Sequence, residues 1–183
     1  MQSAEDMTAL ETALLVMVPT ADPVVQRWRS QYDAAESVGI PAHLTVAYPF
    51  KPDLSDEDIK RLKTLFASIA PFTVDLSASG WFGEEVVFLA PKDPSPLASL
   101  ASTVAEAWPD WPLYGGVHDT YVPHLTIGHN QPVESLQVAE ADCLRHLPIH
   151  QLVTEVHLWH GPTLGTGAGP WRPRMKFRLG EGH

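Results

Sequence analysis

The sequence predicts one α+β domain of two pseudo-symmetric lobes, each a β-α-β-α-β unit, with antiparallel sheets lining a central cleft. Three observations predict it. Segments with the two-residue alternation of strands interleave with segments of helical period. Their order repeats once along the 183 residues. The tripeptide His-Leu-Thr also occurs at the matching place in each copy, as His43-Leu44-Thr45 and His124-Leu125-Thr126.

Strand patterns cover 13–19, 43–50, 72–79, 85–90, 124–130, 149–159 and 171–179. Asp22-Pro23 reads as N-cap plus first-turn proline of a helix carrying Val25, Trp28 and Tyr32, with Gly39 as its stop. Ser55-Asp56-Glu57-Asp58 reads as a capping box with Asp in place of Glu. It opens a helix whose apolar face is Ile59, Leu62, Leu65, Phe66 and Ile69. Asp93-Pro94 opens a third helix, with Leu97, Leu100, Ala101 and Val104 on one face, and Pro132 a fourth.

The strand before Asp22-Pro23 matches the strand before Asp93-Pro94, and each copy runs through a helix to a proline-flanked His-Leu-Thr strand. The second copy carries about ten extra residues before its motif, a length that a surface loop absorbs at small entropic cost. One domain over 1–183 is expected, with halves near 13–84 and 85–180, packed about a pseudo-twofold that brings the motif strands together.

Hydrophobic content of 44% and charged content of 19% describe a globular protein. The N-terminus, Met1 to Asp6, lacks a basic region before an apolar stretch, and the apolar run 13–18 is too short to span a bilayer. A single cysteine, Cys143, excludes an internal disulfide framework and a multi-cysteine metal site. A cytoplasmic protein is expected, acting as a monomer with no membrane partner. The formal net charge of −10 argues against wrapping a long nucleic-acid duplex.

Within each motif, alternation puts His and Thr on one strand face and Leu with Val46 or Ile127 on the other. A single H-x-T is expected by chance roughly once in a chain with nine histidines. Two copies with matching flanks are much harder to obtain by accident. Paired imidazoles suit phosphodiester hydrolysis, one taking a proton from water while the other gives one to the leaving oxygen. The hydroxyls can hold non-bridging phosphate oxygens, and no metal or other cofactor is required. Ala47 and Gly128, next along the same face by alternation, leave room for a ligand.

On these motifs the chain resembles the 2H phosphoesterase superfamily, which contains 2′,5′ RNA ligase-like proteins and RNA 2′,3′-cyclic phosphodiesterases. The resemblance extends from about Ala13 to Leu179. It implies that His43 and His124 are the catalytic pair, that Thr45 and Thr126 bind phosphate, and that a 2′,3′-cyclic phosphate on a nucleotide or RNA end is cleaved without metal. Ligation, action on another small cyclic phosphate, and non-catalytic nucleotide or RNA-end binding stand as alternatives. So does a metal-dependent hydrolase.

Weaker signals are read conservatively. Arg172, Arg174, Lys176 and Arg178 share one face by alternation and read as a solvated edge strand. None of the other seven histidines forms a zinc pattern, and alternation puts His129 on the face opposite His124. The glycine-rich 161–169 segment lacks a P-loop lysine and reads as a flexible hairpin connection. Loops 109–122 and 161–170 are expected to shape the pocket. Among the aromatics Trp81, Phe82, Trp111, Tyr114 and Tyr121, the last is the expected base-stacking residue, three positions before His124.

Overall fold

A computed structural model describes residues 10–117 and 120–180. The N-terminal Met1–Asp6 stretch and two of the nine histidines, His118 and His183, lie outside the described residues. The strands are β1 (Leu10–Met17), β2 (His43–Phe50), β3 (Phe72–Phe82), β4 (Val86–Pro91), β5 (Leu125–His129), β6 (Ile149–Val153), β7 (Glu155–Pro162) and β8 (Arg172–Arg178). The helices are α1 (Asp22–Tyr32), α2 (Ala34–Ser37), α3 (Asp56–Ala67), α4 (Ser95–Ala107) and α5 (Val133–Leu144).

The strands form two antiparallel four-stranded sheets, ordered β2-β1-β7-β8 and β5-β4-β3-β6. The sequence pattern over 149–159 is two strands, parted at Thr154 and assigned to different sheets. Each sheet therefore crosses the repeat boundary. β1 pairs with β7 from the second half, and β4 pairs with β3 from the first. The helices exchange too, since α1 packs on β5 and α4 on β2. A main apolar core spans both halves, running from Leu14, Val16 and Leu44 through Val87, Leu89 and Leu125, with a smaller cluster around Leu15, Trp159 and Trp171.

Local chemistry explains the helix ends. Ser55 and Asp58 form the capping box, each side chain bonded to the other's backbone N–H. A 3-10 turn over Pro19–Ala21 starts α1 one residue early, so Asp22 is not its cap. The freed carboxylate accepts the Ala42 N–H at 3.2 Å, beside the first motif. The helix also stops at Tyr32 rather than at Gly39, because Asp33 is extended (φ −122°, ψ 118°) and caps α2 instead.

Both motif strands carry a bulge just after the threonine. In β2, Leu15 faces Thr45 but Leu14 faces Ala47, leaving Val46 extra. In β5, Phe88 faces Thr126 but Val87 faces Gly128, leaving Ile127 extra. An extra residue inverts the alternation beyond it. Ala47 and Gly128 consequently turn into the core and make no room for a ligand. A Cβ on Gly128 would stand 2.7 Å from the Tyr32 Cβ and 3.1 Å from Leu136 Cδ2, so glycine is what lets α1 and α5 close on β5. A third bulge, between Leu158 and Trp159, breaks the basic stripe. Lys176 and Arg178 stay on the face of His157 and Glu155, while Arg172 moves to the other face, opposite His160. Lys176 is tied to Glu155 at 3.3 Å.

Among the described residues no helix is long and apolar enough to cross a membrane. The Gly128 contacts make a direct test. Gly128→Ala is expected to lower the free energy of unfolding in urea by about 1–3 kcal/mol, the usual cost of overpacking. An unchanged midpoint would show that α1 does not seat on β5.

Candidate active site

Because β2 and β5 each end their sheet's order, the two motifs sit on edge strands that meet across the cleft. His43, His124 and Thr126 line one cavity of about 360 Å³ together with Asp33, Phe82, His129 and Leu164. Thr45 lies on the same face of β2 as His43, two residues farther in and half-buried. Its carbonyl accepts the Tyr121 hydroxyl at 2.7 Å.

The two histidines are held alike. His43 Nδ1 lies 2.8 Å from the Pro41 carbonyl, and His124 Nδ1 lies 2.7 Å from the Val122 carbonyl, each two residues upstream. A carbonyl only accepts, so Nδ1 carries the hydrogen in both rings and Nε2 is left with its lone pair. Each motif thus includes a backbone carbonyl two residues before the histidine, a partner that no side-chain pattern in the sequence reveals.

Burial disfavours the charged form of both rings. It pushes His43 from 6.5 down to about 4, helped by the Arg29 guanidinium and opposed by the Pro41 carbonyl and Asp33. His124 is lowered by the same desolvation, against the Val122 carbonyl and Asp33. Both imidazoles are therefore neutral at pH 7 in the empty cleft.

Behind His43 lies a buried ion pair. Arg29, 1% exposed, holds Asp33 at 2.7 Å and donates to the Ile40 carbonyl at 3.1 Å. Asp33 accepts the Ala35 N–H at 3.0 Å and stands 3.7 Å from His129 Nδ1. His129 reaches this cavity because of the β5 bulge, which returns it to the cleft face against the alternation read from sequence. The signal available was Gly128, since a glycine inside a strand marks a bulge or a close backbone approach. Here it marks both.

Tyr121, the residue expected to stack on a base, is not among the residues lining this cavity. Its ring packs against the main core, burial pushes its hydroxyl pKa up, and its hydrogen bond braces the second-motif loop on Thr45. Trp81 and Trp111 also pack on the core. The aromatics against His124 are Phe82, edge-on at 4.9 Å between ring centroids, Phe88 at 5.5 Å and Tyr114 at 6.2 Å. The glycine-rich connection supplies Leu164 and Gly165 to the cavity wall. Its start is fixed by Glu11, which accepts from both Tyr48 and Thr163.

Among the described residues no group of three or more His, Cys, Asp or Glu side chains is arranged to hold a metal ion. The pKa directions give a check by histidine proton NMR. In the free protein the His43 ring is expected to titrate near pH 4 and the His124 ring below 6.5. A midpoint at or above 6.5 for either ring would contradict the desolvated geometry.

The fold matches known structures. The E. coli LigT structure complexed with 3′-AMP is 21% identical, with a TM-score of 0.59 over 92% of this chain and 97% of that one. A protein described as a phosphoesterase is 20% identical, with a TM-score of 0.59 over 92% and 98%. TT0787 of Thermus thermophilus is 19% identical, with a TM-score of 0.55 over 94% and 100%. A search of curated proteins finds no match. The family model of the 2′-5′ RNA ligase superfamily matches residues 17–162, most of the chain. By that match, and by its paired H-x-T motifs, the chain belongs to the 2′-5′ RNA ligase superfamily of 2H phosphoesterases.

Proposed function

We propose that the protein hydrolyses a 2′,3′-cyclic phosphodiester on a nucleotide or RNA end, as a monomer and without metal. The observation carrying this reading is the matched pair of imidazoles that face one cavity, each with Nδ1 on a carbonyl and Nε2 open. The solved structures of E. coli LigT with 3′-AMP, ATP and NADP+ support a nucleotide as the ligand class.

In the reaction one histidine Nε2 takes a proton from water as the water oxygen bonds to phosphorus. The other histidine, protonated, gives its proton to the ribose oxygen as the P–O bond breaks. One proton is taken and one given, so the pair returns to its starting charge by exchanging roles. The phosphate anion favours the protonated form of the acid histidine, offsetting the desolvation that keeps both rings neutral in the empty cleft. Thr126, and Thr45 on the facing strand, would hold the non-bridging oxygens.

The test is turnover of the four 2′,3′-cyclic nucleotides in the presence of chelator. Wild type is expected to be active, and His43→Ala and His124→Ala each to lose about 10²–10⁴-fold in kcat. Full activity in either variant rejects the two-histidine mechanism, and activity abolished by chelator rejects a metal-free one. Base and acid must be oppositely protonated, and kcat/KM reports the free enzyme. With both rings lowered, its pH maximum is expected below 6.5. A maximum above about pH 7.5 would contradict the scheme.

A further inference from the structure

The sheet that carries the second motif has a cavity of about 400 Å³ at its far side. The order β5-β4-β3-β6 puts β6 three strand spacings from β5, or about 14 Å. Asp75 and Ser77 of β3, Lys92 just past β4 and His150 of β6 form the polar part of the lining. The apolar part is Leu144 at the end of α5, with Leu147 and Pro148 from the turn after it. No lining residue is shared with the catalytic cavity.

Local structure opens this space. In the pairing of β3 with β4, Leu76 faces Pro91 and Ala78 faces Ala90, so Ser77 is an extra residue without a partner. β6 begins at Ile149, opposite Leu76, and leaves Ser77 uncovered on that side too. Asp75 stands directly opposite His150, and its carboxylate accepts from His150 Nδ1. The Asp75 carbonyl accepts the Lys92 N–H at 2.8 Å, which fixes Lys92 beside the pair. Leu147 packs on the main core, while Leu144 is 43% exposed.

The charges are not matched within the cavity. Asp75 is engaged by His150, whereas among the described residues neither the Lys92 ammonium nor the Ser77 hydroxyl has a hydrogen-bond or ion-pair partner. Asp75 and His150 could offer a metal ion two ligands, and among the described residues no third group joins them.

We propose that this cavity binds a small organic carboxylate, its head on Lys92 and Ser77 and its hydrocarbon body on Leu144, Leu147 and Pro148. One unpaired ammonium matches a monoanion. A phosphate monoester, with nearly two charges, would bring the second against Asp75, and the lining holds no second lysine or arginine to meet it. The apolar wall then favours a carboxylate with a hydrocarbon chain over a bare one. Because the two cavities share no residue, this site stands apart from the phosphodiester reading.

Histidine proton NMR tests it with acetate, butyrate, hexanoate and inorganic phosphate, the His150 signals being assigned through His150→Gln. Hexanoate is expected to shift His150 saturably, and each added methylene to tighten binding about twofold to fourfold. Lys92→Gln should weaken hexanoate about tenfold, the loss of a charged hydrogen bond. Lys92→Arg keeps the charge and should bind within about threefold of wild type. Leu144→Ser, at an exposed helix end, is expected to fold and to flatten the dependence on chain length. An unmoved His150 in about 20 mM hexanoate would overturn the proposal. So would equal affinities for acetate and hexanoate, phosphate binding tighter than hexanoate at His150, or wild-type affinity in Lys92→Gln. Shifts confined to His43 and His124 would put the anion in the catalytic cavity and overturn it as well.

Discussion

Each sheet joins strands from both halves of the chain, and the site depends on that exchange. β1 lies between β2 and β7, and β4 between β5 and β3, so neither half of the sequence owns a complete sheet. Filling the inner positions with exchanged strands leaves β2 and β5 at the edges, where they can face each other across a cleft. The reciprocal docking of α1 on β5 and α4 on β2 then ties both motif strands into one core. A pair of independent lobes could drift apart by the ångström that separates a productive geometry from an idle one. A shared core, braced further by Tyr121 on Thr45, resists that drift.

Within this frame the electrostatics follow from burial more than from charge. Desolvation is the largest cause of the shift at both histidines, and the backbone carbonyls at Nδ1 only partly oppose it. Arg29 and Asp33 act on His43 with opposite sign. Their pairing fixes where the carboxylate points, between His129 and the N-terminus of α2. A buried pair of this kind is weak evidence for stability, yet removing either partner strands the other at a cost of about 3–5 kcal/mol. Its effect here is better described as holding α1, α2 and the turn at Ile40 in register behind His43.

Much of this was legible in the sequence. The strand alternation through the first His-Leu-Thr and the capping box at Ser55 each name a local pattern that local physics enforces. What stayed hidden was parity and partnership. Alternation assigns faces only until a bulge intervenes, and three bulges moved Ala47, Gly128, His129 and Arg172 to faces opposite those read from the pattern. Gly128 and Pro173, a glycine and a proline inside strands, were the signals for two of them. Strand exchange and the split at Thr154 leave no local trace, because the partner that decides them is distant in sequence. Arg29 reads as an ordinary helix cation, and its burial depends on Asp33 and Ile40 arriving from the turn beyond.

The two motif strands are alike near their histidines and differ beyond their bulges. Up to the threonine the two motif strands are copies, down to the carbonyl behind each histidine. Just past the bulge the cleft-side residue is Tyr48 in one strand and His129 in the other. The first is tied to Glu11, while the second stands opposite Asp33. The loops diverge as well, with glycines and Leu164 near His43 and the strained Tyr114 turn near His124. In the proposed reaction one imidazole takes a proton while the other gives one, and a pair held alike by backbone carbonyls suits that exchange. A nucleotide has no such symmetry about its phosphate, and only one side carries the base. A site that kept its twofold beyond the threonines would accept the substrate in two orientations. On the proposed reading, the departure from symmetry after each threonine allows one orientation of a nucleotide to be selected.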